Sequence, residues 1–413
     1  MVEYKVIRLG DCLSMIENGA TIKQKEGAGG YPITRIETLS NDRFNRDRLG
    51  YADIDNIDSL KNHILDNEDL IMSHINSRPF LGRTVIYFKK DDETIIHGMN
   101  VLRIKTKKTI LNPIYAYYYF KTPHFRKAID NIRTDAINQS SINTNNIKDI
   151  KIHIPNIAEQ EKVVDVLRGI DKKIEKNEEM NAELEAMAKQ LYDYWFVQFD
   201  FPDENGNPYK SSGGKMVYNS TLKREIPADW EVKSLSEIAN ITMGQSPDGS
   251  SYNEEGNGTI FYQGSTDFGI RFPSVRMYTT EPSRFAIKGD ILMSVRAPVG
   301  DTNIAYTDCC IGRGLAALNS KIGSATHLYF ILGDLKAKFD RLNAAGTTFG
   351  AITKDELYSL PVVKPAESIL RKYEELCSSM FDKQMCIGHE IEHLTHLRDS
   401  LLPMLMNGQI TVE

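Results

Sequence analysis

Val163-Val-Asp-Val-Leu-Arg-Gly-Ile-Asp-Lys-Lys-Ile174 returns in pattern, though not in identity, as Tyr373-Glu-Glu-Leu-Cys-Ser-Ser-Met-Phe-Asp-Lys-Gln384, displaced by 210 positions. Val163, Leu167, Ile170 and Ile174 step by four and three, so they line one stripe of a helix and follow the heptad seam of a helix pair. The stripe continues through Asn177, Asn181, Leu184, Ala188, Leu191 and Trp195. Its second copy runs Tyr373, Cys377, Met380, Gln384, Ile387, Ile391, Leu394, Arg398, Leu401 and Leu405. Gly169 is the only helix breaker between Ala158 and Val197, which predicts a helix on the order of 60 Å long at 1.5 Å per residue. The two seams are expected to pack antiparallel, with Asn177 and Asn181 fixing register opposite a partner that carries Ile387 and Ile391. The plainer alternative is two separate amphipathic helices, each lying on its own domain.

The same displacement aligns residues 137–200 with 347–410 without a gap, pairing Pro155 with Pro365, Leu184 with Leu394 and Leu191 with Leu401. Upstream the match continues with changed offsets. Glu68-Asp-Leu-Ile-Met-Ser73 echoes Gly289-Asp-Ile-Leu-Met-Ser294 at 221, and Tyr4-x-Val6-x-x-Leu9 echoes Trp230-x-Val232-x-x-Leu235 at 226. Loop insertions between matched elements produce such slips. One globular unit plus one long helix has therefore been duplicated, and two large repeats exclude a solenoid.

Each unit reads as mixed helix and strand. Candidate strands in the first are Lys5–Leu9, Asp69–His74, Arg83–Phe88, Val101–Lys105 and Ile150–Ile154, with a helix opening at Asn112-Pro113. The second offers Glu231–Leu235, Asp290–Val295, Asn303–Tyr306, Gly314–Asn319 and a helix near Ala325–Asn343. The fold class is α+β, with two long antiparallel coiled-coil helices and a pseudo-two-fold internal repeat. The expected segments are a domain at 1–155, a spacer helix at 156–200, a linker at 201–216, a domain at 217–365 and a C-terminal spacer helix at 366–413. The stretch Phe199–Gly214 at this junction is rich in Pro, Asn and Gly, and its aromatics, Phe199 and Phe201 among them, suggest that it is pinned down.

The net charge of −6 is uneven: residues 1–155 carry +4, residues 156–202 carry −5, and the later segments are mildly acidic. An acidic chain does not advertise a polyanion partner, so any nucleic acid must be met by local patches or by a partner's positive field. Five scattered cysteines with no C-x-x-C pair fit reduced thiols in the cytoplasm and argue against zinc. No apolar run reaches membrane-spanning length, and Met1-Val-Glu-Tyr-Lys5 opens no signal peptide.

Several segments carry a resemblance. Tyr192-Asp-Tyr-Trp-Phe-Val-Gln-Phe-Asp-Phe201, Asn205-Gly-Asn-Pro-Tyr-Lys210 and Gly213-Gly214 are similar to the central region of the specificity subunits of type I restriction-modification systems. Leu401-Leu-Pro-Met-Leu-Met-Asn-Gly-Gln-Ile410 resembles their C-terminal signature. Pro155-x-x-Ala158-Glu-Gln-Glu161, Met243-Gly-Gln-Ser-Pro247, Arg296-Ala-Pro-Val-Gly300 and Gly289-Asp-Ile-Leu-Met-Ser294 also look like that family. Two places depart from it: Ala366-Glu-Ser-Ile369 replaces the Ala-Glu-Gln start, and Gly19-Ala-Thr-Ile-Lys23 replaces the Gly-x-Ser/Thr-Pro turn. The resemblance implies a non-catalytic, cytoplasmic subunit. Each globular unit would be a target recognition domain reading one half of a bipartite, asymmetric DNA sequence. The helices would dock two methyltransferase subunits and set half-site spacing, and two restriction subunits could join. S-adenosylmethionine would belong to the methyltransferase and not to this chain.

The residues themselves favour no catalysis. Asn112-Pro-Ile-Tyr115 approaches an adenine-flipping motif, but no strand leads into a glycine-rich donor loop, so it reads as a helix start. Pro202-Asp203 with Glu231-x-Lys233 mimics a nuclease motif across a linker and a strand. His389, His393 and His396 read as a solvated helix face, because no carboxylate or Cys completes a metal-ligand set with them. Polar loops could read base edges. In the first unit these are Lys23, Gln24 and Lys25; Ser73, His74, Asn76 and Arg78; and Asn138, Gln139 and Ser140. In the second they are Gln245, Ser246, Gln263, Arg271, Arg276, Ser294, Arg296, Thr347 and Thr348. The expected subunit and helix interface comprises Val163, Leu167, Ile170, Ile174, Leu184, Leu191, Trp195, Met380, Ile387, Ile391, Leu394, Leu401 and Leu405. Two readings from other classes remain: a restriction-methylation fusion, which a methylation assay of the chain alone would reveal, and a helical scaffold that does not bind DNA.

Overall fold

A computed structural model describes residues 3–25, 29–40, 42–54, 56–137, 139–269, 271–344 and 350–412. The chain divides into two compact units. Unit 1 is Met1–Glu175 with His393–Glu413, and unit 2 is Lys176–Glu392.

Unit 1 is built on a four-stranded antiparallel sheet in the order Thr84–Tyr87, Asp69–Ser73, Val101–Thr106, Leu13–Asn18. Every residue of Asp69–Ser73 is buried, as a central strand covered on both faces requires. The tyrosine-rich helix Pro113–Phe120 packs into the core beside it. Asn112 caps that helix by accepting from the amides of Ile114 (2.9 Å) and Tyr115 (3.2 Å), which settles the Asn-Pro segment as a helix start. Lys5–Arg8 pairs antiparallel with Lys151–Ile154, so the unit closes on itself just before the first long helix.

Unit 2 repeats the plan in the same sheet order: Thr302–Ile304, Ile291–Ser294, Leu315–Ser320, Ala239–Met243. Glu231–Ser234 pairs with Pro361–Lys364 as the first pair does, and helix Ala325–Ala344 takes the place of the tyrosine-rich helix. The Asp of the repeated Asp-aliphatic-Met-Ser strand has the same task in both units. Asp69 accepts from the Asp66 amide at 2.7 Å, and Asp290 accepts from the Ile287 amide at 3.0 Å. The units diverge in a second, smaller sheet. Unit 1 has three short strands, Gln24–Lys25, Gly50–Ala52 and Tyr31–Ile33. Unit 2 has five, running from Tyr252–Asn253 to Phe285–Ala286.

The long helices span Ile157–Tyr192, followed by a π turn Asp193–Val197, and Glu367–Met406. Their contacts run antiparallel within each unit. In unit 1, Arg398 donates to Asp171 at 2.9 Å. In unit 2, Asn177 donates to Glu390 (3.0 Å), Gln384 to the Asn181 carbonyl (3.0 Å) and Tyr373 to the Ala188 carbonyl (3.4 Å). The two seam asparagines are buried, so a polar layer runs through the pair at the expected place. The seam residues Val163, Leu167, Ile174, Trp195, Ile387 and Leu405 are buried, while Ile170, Leu184, Leu191, Met380, Ile391, Leu394 and Leu401 are only half-buried. Near the helix ends the buried stripe shifts by one residue, to Tyr192 and Phe196 and to Leu402 and Met406. Two causes act together: a 3.6-residue helix drifts from a seven-residue seam, and the ends turn toward their own globular cores. Val163, Leu167 and Leu405 accordingly belong to the core of unit 1, and Trp195 to that of unit 2. The aromatics of the linker are indeed pinned. Phe201 stacks on Trp230 at 4.9 Å and on Tyr209 at 4.7 Å, and Phe199 meets Trp230 edge-on at 5.5 Å.

Candidate nucleic-acid interface

In each unit the first two candidate reading loops leave the C-terminal ends of matched strands, and the backbone ties the loops together. Gly19 follows Leu13–Asn18 and Gly244 follows Ala239–Met243. A Cβ on Gly19 would stand 2.0 Å from the Gly98 carbonyl oxygen, and one on Gly244 would stand 2.1 Å from that of Gly312. Both turns thus need glycine for the same close backbone approach, so the first unit keeps the role although its motif departs from the Gly-x-Ser/Thr-Pro pattern. Lys23–Lys25 and Gln245–Ser246 follow these turns.

The second and third loops meet each other in both units. In unit 1, Ser140 and Ser141 pair with Asn76 and Ile75, and the Ile142 amide donates to the His74 carbonyl at 2.9 Å. In unit 2, Arg296 bridges to Ala351, and the Ile352 amide donates to the Val295 carbonyl at 2.9 Å. These are the same contacts at aligned positions. Asn138, Thr347 and Thr348 lie outside the described residues.

In unit 2 the Gly312–Leu315 turn is the hub. The Gln245 amide donates to the Ile311 carbonyl, the Arg313 amide to Ser246 Oγ, the Val295 amide to the Gly314 carbonyl and the Gly312 amide to the Tyr262 carbonyl. Gln245, Ser246, Gln263 and Arg296 are therefore gathered on one cluster, all exposed except the half-buried Ser246. Arg313, exposed at the hub between two glycines, escaped the sequence reading; the Gly312-Arg-Gly314 triplet was the available signal. Neither Arg296 nor Arg313 makes a side-chain ion pair among the described residues, so both guanidiniums keep donors for base edges or phosphates. Arg276 is exposed but tethered to Asp267 (Nε–Oδ1 2.9 Å).

Five expected readers are corrected by their burial. Ser73 and Ser140 are buried, accepting from Asn76 Nδ2 and donating to Asp135. Ser294 Oγ donates to the Pro298 carbonyl and accepts from the Asp301 amide, closing its own turn. His74 is buried, its Nδ1 lacks a hydrogen-bond partner, and burial lowers its pKa. Arg271, with only 3% of its side chain exposed, donates to Glu185 at 3.1 Å and lies over the rings of Tyr329 and Phe381. Small polar residues at strand ends bond their own loops, and the first loop is partly occupied too. Gln24 accepts from Arg35 and Lys25 pairs with Asp53 at 2.8 Å. Lys23, Asn76, Arg78 and Gln139 remain exposed or half-buried in unit 1.

Among the described residues no three His, Cys, Asp or Glu side chains could hold a metal ion, and His389 packs against the Tyr306 ring at 3.9 Å. Asp203 accepts from the amides of Asn205 and Asn207, a linker turn remote in kind from a nuclease site. All five cysteines are free thiols. No helix among the described residues is long and apolar enough to cross a membrane.

The two repeated α+β units thus carry matched loop clusters. The family model for the type I restriction modification DNA specificity domain matches residues 1–186 and 227–369, and the chain belongs to that family. Among curated proteins it is 34% identical to a putative type I restriction enzyme MjaX specificity subunit of Methanocaldococcus jannaschii, over 100% of this chain and 94% of that protein. It is 23% identical to the type I restriction enzyme HindI specificity subunit of Haemophilus influenzae, over 83% of this chain and 86% of that one. A crystal structure of a type I restriction-modification S subunit from M. genitalium shares the fold at a TM-score of 0.54 and 17% identity, covering 98% of this chain and 96% of that one. The chain is thus a DNA sequence-specificity subunit, and its role in the system is recognition rather than catalysis.

If the hub reads DNA, Arg296→Ala should weaken binding to the cognate site by about 1–3 kcal/mol and relax preference at one position. Competition binding against single-base variants of the target checks this. A uniform loss across all sequences would assign Arg296 to the phosphates instead.

Proposed function

We propose that each globular unit is a target recognition domain, at 1–155 and 217–365, and that each reads one half of a bipartite, asymmetric double-stranded DNA target. The observation that carries this reading is the loop cluster built twice by equivalent backbone contacts and furnished with different side chains. Asn76 and Gln139 stand in one copy, and Arg296, Arg313 and Gln263 in the other. Asn and Gln suit adenine and Arg suits guanine, so unequal half-sites follow.

The long helices set half-site spacing and dock two methyltransferase subunits, which carry S-adenosylmethionine and do the chemistry. Restriction subunits join the same cytoplasmic assembly. With a net charge of −6, this chain has little positive field to meet phosphates, so the partners supply much of the affinity. The testing experiment exchanges residues 1–150 for the matching segment of a relative and maps the methylated sequence of the reconstituted complex. One half of the target should change and the other stay. A change in both halves would defeat the modular reading.

A further inference from the structure

Each unit holds a cavity at the same place in the repeat. Unit 2 has one of about 520 Å³ where the end of the first long helix meets Trp230 and helix Ala325–Ala344. Unit 1 has one of about 300 Å³ where the end of the second long helix meets Tyr4 and the residues after Pro113–Phe120. Six of the seven residues lining the smaller cavity have aligned counterparts lining the larger. Tyr4 answers to Trp230, Tyr119 to Ile331 and Met406 to Phe196. Unrelated surface hollows would not recur at aligned positions on four separate elements.

A second feature recurs beneath both. His327 lines the larger cavity at 2% exposure, and its Nδ1 has no hydrogen-bond partner. Tyr115, its counterpart when the two helices are aligned at their starts, is fully buried with an unpartnered hydroxyl, its ring 6.4 Å from that of Tyr119. Leaving His327 Nδ1 unsatisfied costs free energy that a ligand in the larger cavity can recover. The floors are aromatic and apolar. The larger rim carries Arg224, Lys338 and Arg341 against Asp193 and Asp334, while the smaller carries His124 and His153 and no carboxylate. What the two share is an apolar seat beside nitrogen donors, which fits an apolar side chain flanked by acidic groups.

We propose that the two cavities are paired docking sites, each receiving an acidic segment with an apolar anchor from one copy of the methyltransferase chain. This rests on the reading of the chain as a methyltransferase-docking subunit. Three observations select that occupant. A site built twice suits a partner present twice. Both rims carry more basic than acidic side chains. Both cavities are walled by the ends of the long helices, at Tyr192–Val197 and Met406–Asn407, so they continue the surface that the reading assigns to the partner. An apolar anchor in a pocket ringed by polar groups is also how interface energy concentrates.

The test coexpresses the full chain with the methyltransferase of its own host and weighs the purified complex by native mass spectrometry. The unaltered chain should carry two partner copies. Lys338→Glu with Arg341→Glu should leave one, His124→Glu should leave one, and all three together should leave none. These side chains are exposed, so the fold should survive, and an unchanged thermal midpoint checks that. Val197→Asp and the aligned Asn407→Asp, also at exposed rim positions, form a second set with the same expected outcome. Each altered site should lose at least tenfold in affinity by titration with the isolated partner. Two copies retained by every folded variant would overturn the inference while leaving the docking reading intact. So would loss on Arg371→Glu, an exposed helix residue away from both cavities, with no loss on the rim variants. No partner on the unaltered chain would overturn the docking reading itself.

Discussion

Arg103→Met should destabilise unit 1 by about 3–5 kcal/mol, because it strips a buried carboxylate of its main partner. Arg103 Nε donates to Asp69 Oδ2 at 2.6 Å, and only 3% of either side chain is exposed. The same guanidinium reaches Asp66 at 3.0 Å and the Asn62 carbonyl at 3.1 Å, so one side chain stitches the strand to the preceding turn. Asp69 cannot escape to solvent, since it is buried at the start of a central strand and also accepts from the Asp66 amide of the preceding turn. Its pKa already lies above the ordinary carboxylate value, with desolvation as the largest cause and Arg103 opposing it. Removing Arg103 must raise it further. Folded Asp69 then holds a proton that the unfolded chain has released, over a window starting near the ordinary value of about 3.9 and extending upward. Where the folded state binds more protons, stability falls as pH rises. The deficit of the variant against the unaltered chain should therefore be largest at neutral pH and shrink on acidification through that window. Both tryptophans of the chain, Trp195 and Trp230, belong to unit 2, so hydrogen exchange in Asp69–Ser73 and Val101–Thr106 is the selective readout. Unaltered protection in both strands would show that the pair does not hold the sheet.

That pair also marks how far the sequence could be read. Glu68-Asp-Leu-Ile-Met-Ser73 was visible as a repeated strand, because a short apolar run between a turn and a serine makes a strong signal when it occurs twice. The task of its aspartate was not visible, since the partner amide lies three residues upstream and the cation sits on a different strand. Most principal strands were legible within a residue or two. Leu13–Asn18 was not, because its burial does not alternate cleanly, and Ala239–Met243 was missed although its burial does alternate, five residues being a short stretch in which to see a period. The smaller sheets escaped for a simpler reason: strands of two to four residues carry no period to detect.

The reading loops were legible as segments and poorly legible as side chains. Ser294 and Arg271 show why. A serine at a strand end satisfies its own turn as readily as it meets a base, and the choice depends on the Asp301 amide and Pro298 carbonyl brought back by the chain. Arg271 looked like a loop cation, yet Glu185, Tyr329 and Phe381, all distant in sequence, draw it inward. Conversely Arg313 gave little sign until the turn that carries it proved to be the point where three loops meet. Local pattern places a loop, while long-range packing decides which of its side chains stay outside.

The helix seam supplies the other large effect. Ile387→Asp should cost unit 2 about 3–5 kcal/mol, whereas Ile391→Asp, also on the seam read from sequence, should cost about 1–2 kcal/mol. The difference comes from exposure: Ile387 is 2% exposed and Ile391 is half-buried. Ile387 also lies between two fixed points, Gln384 bonded to the Asn181 carbonyl and Glu390 bonded to Asn177. A carboxylate there cannot be relieved by sliding the helices, because a slip of one turn would break both bonds and leave buried amides unpaired. Lys176, on the partner helix beside Asn177, is held by Glu179 on its own helix instead of turning toward the seam. Protonation is the remaining relief, so the Ile387→Asp variant should recover part of its loss on acidification, by the same sign as Asp69. Urea unfolding followed by tryptophan fluorescence reads unit 2 directly through Trp195 and Trp230. Equal, small losses from both substitutions would mean that the polar layer, and not the apolar residue between its members, carries the pairing. Asn177→Ala with Gln384→Ala should then become the more damaging change.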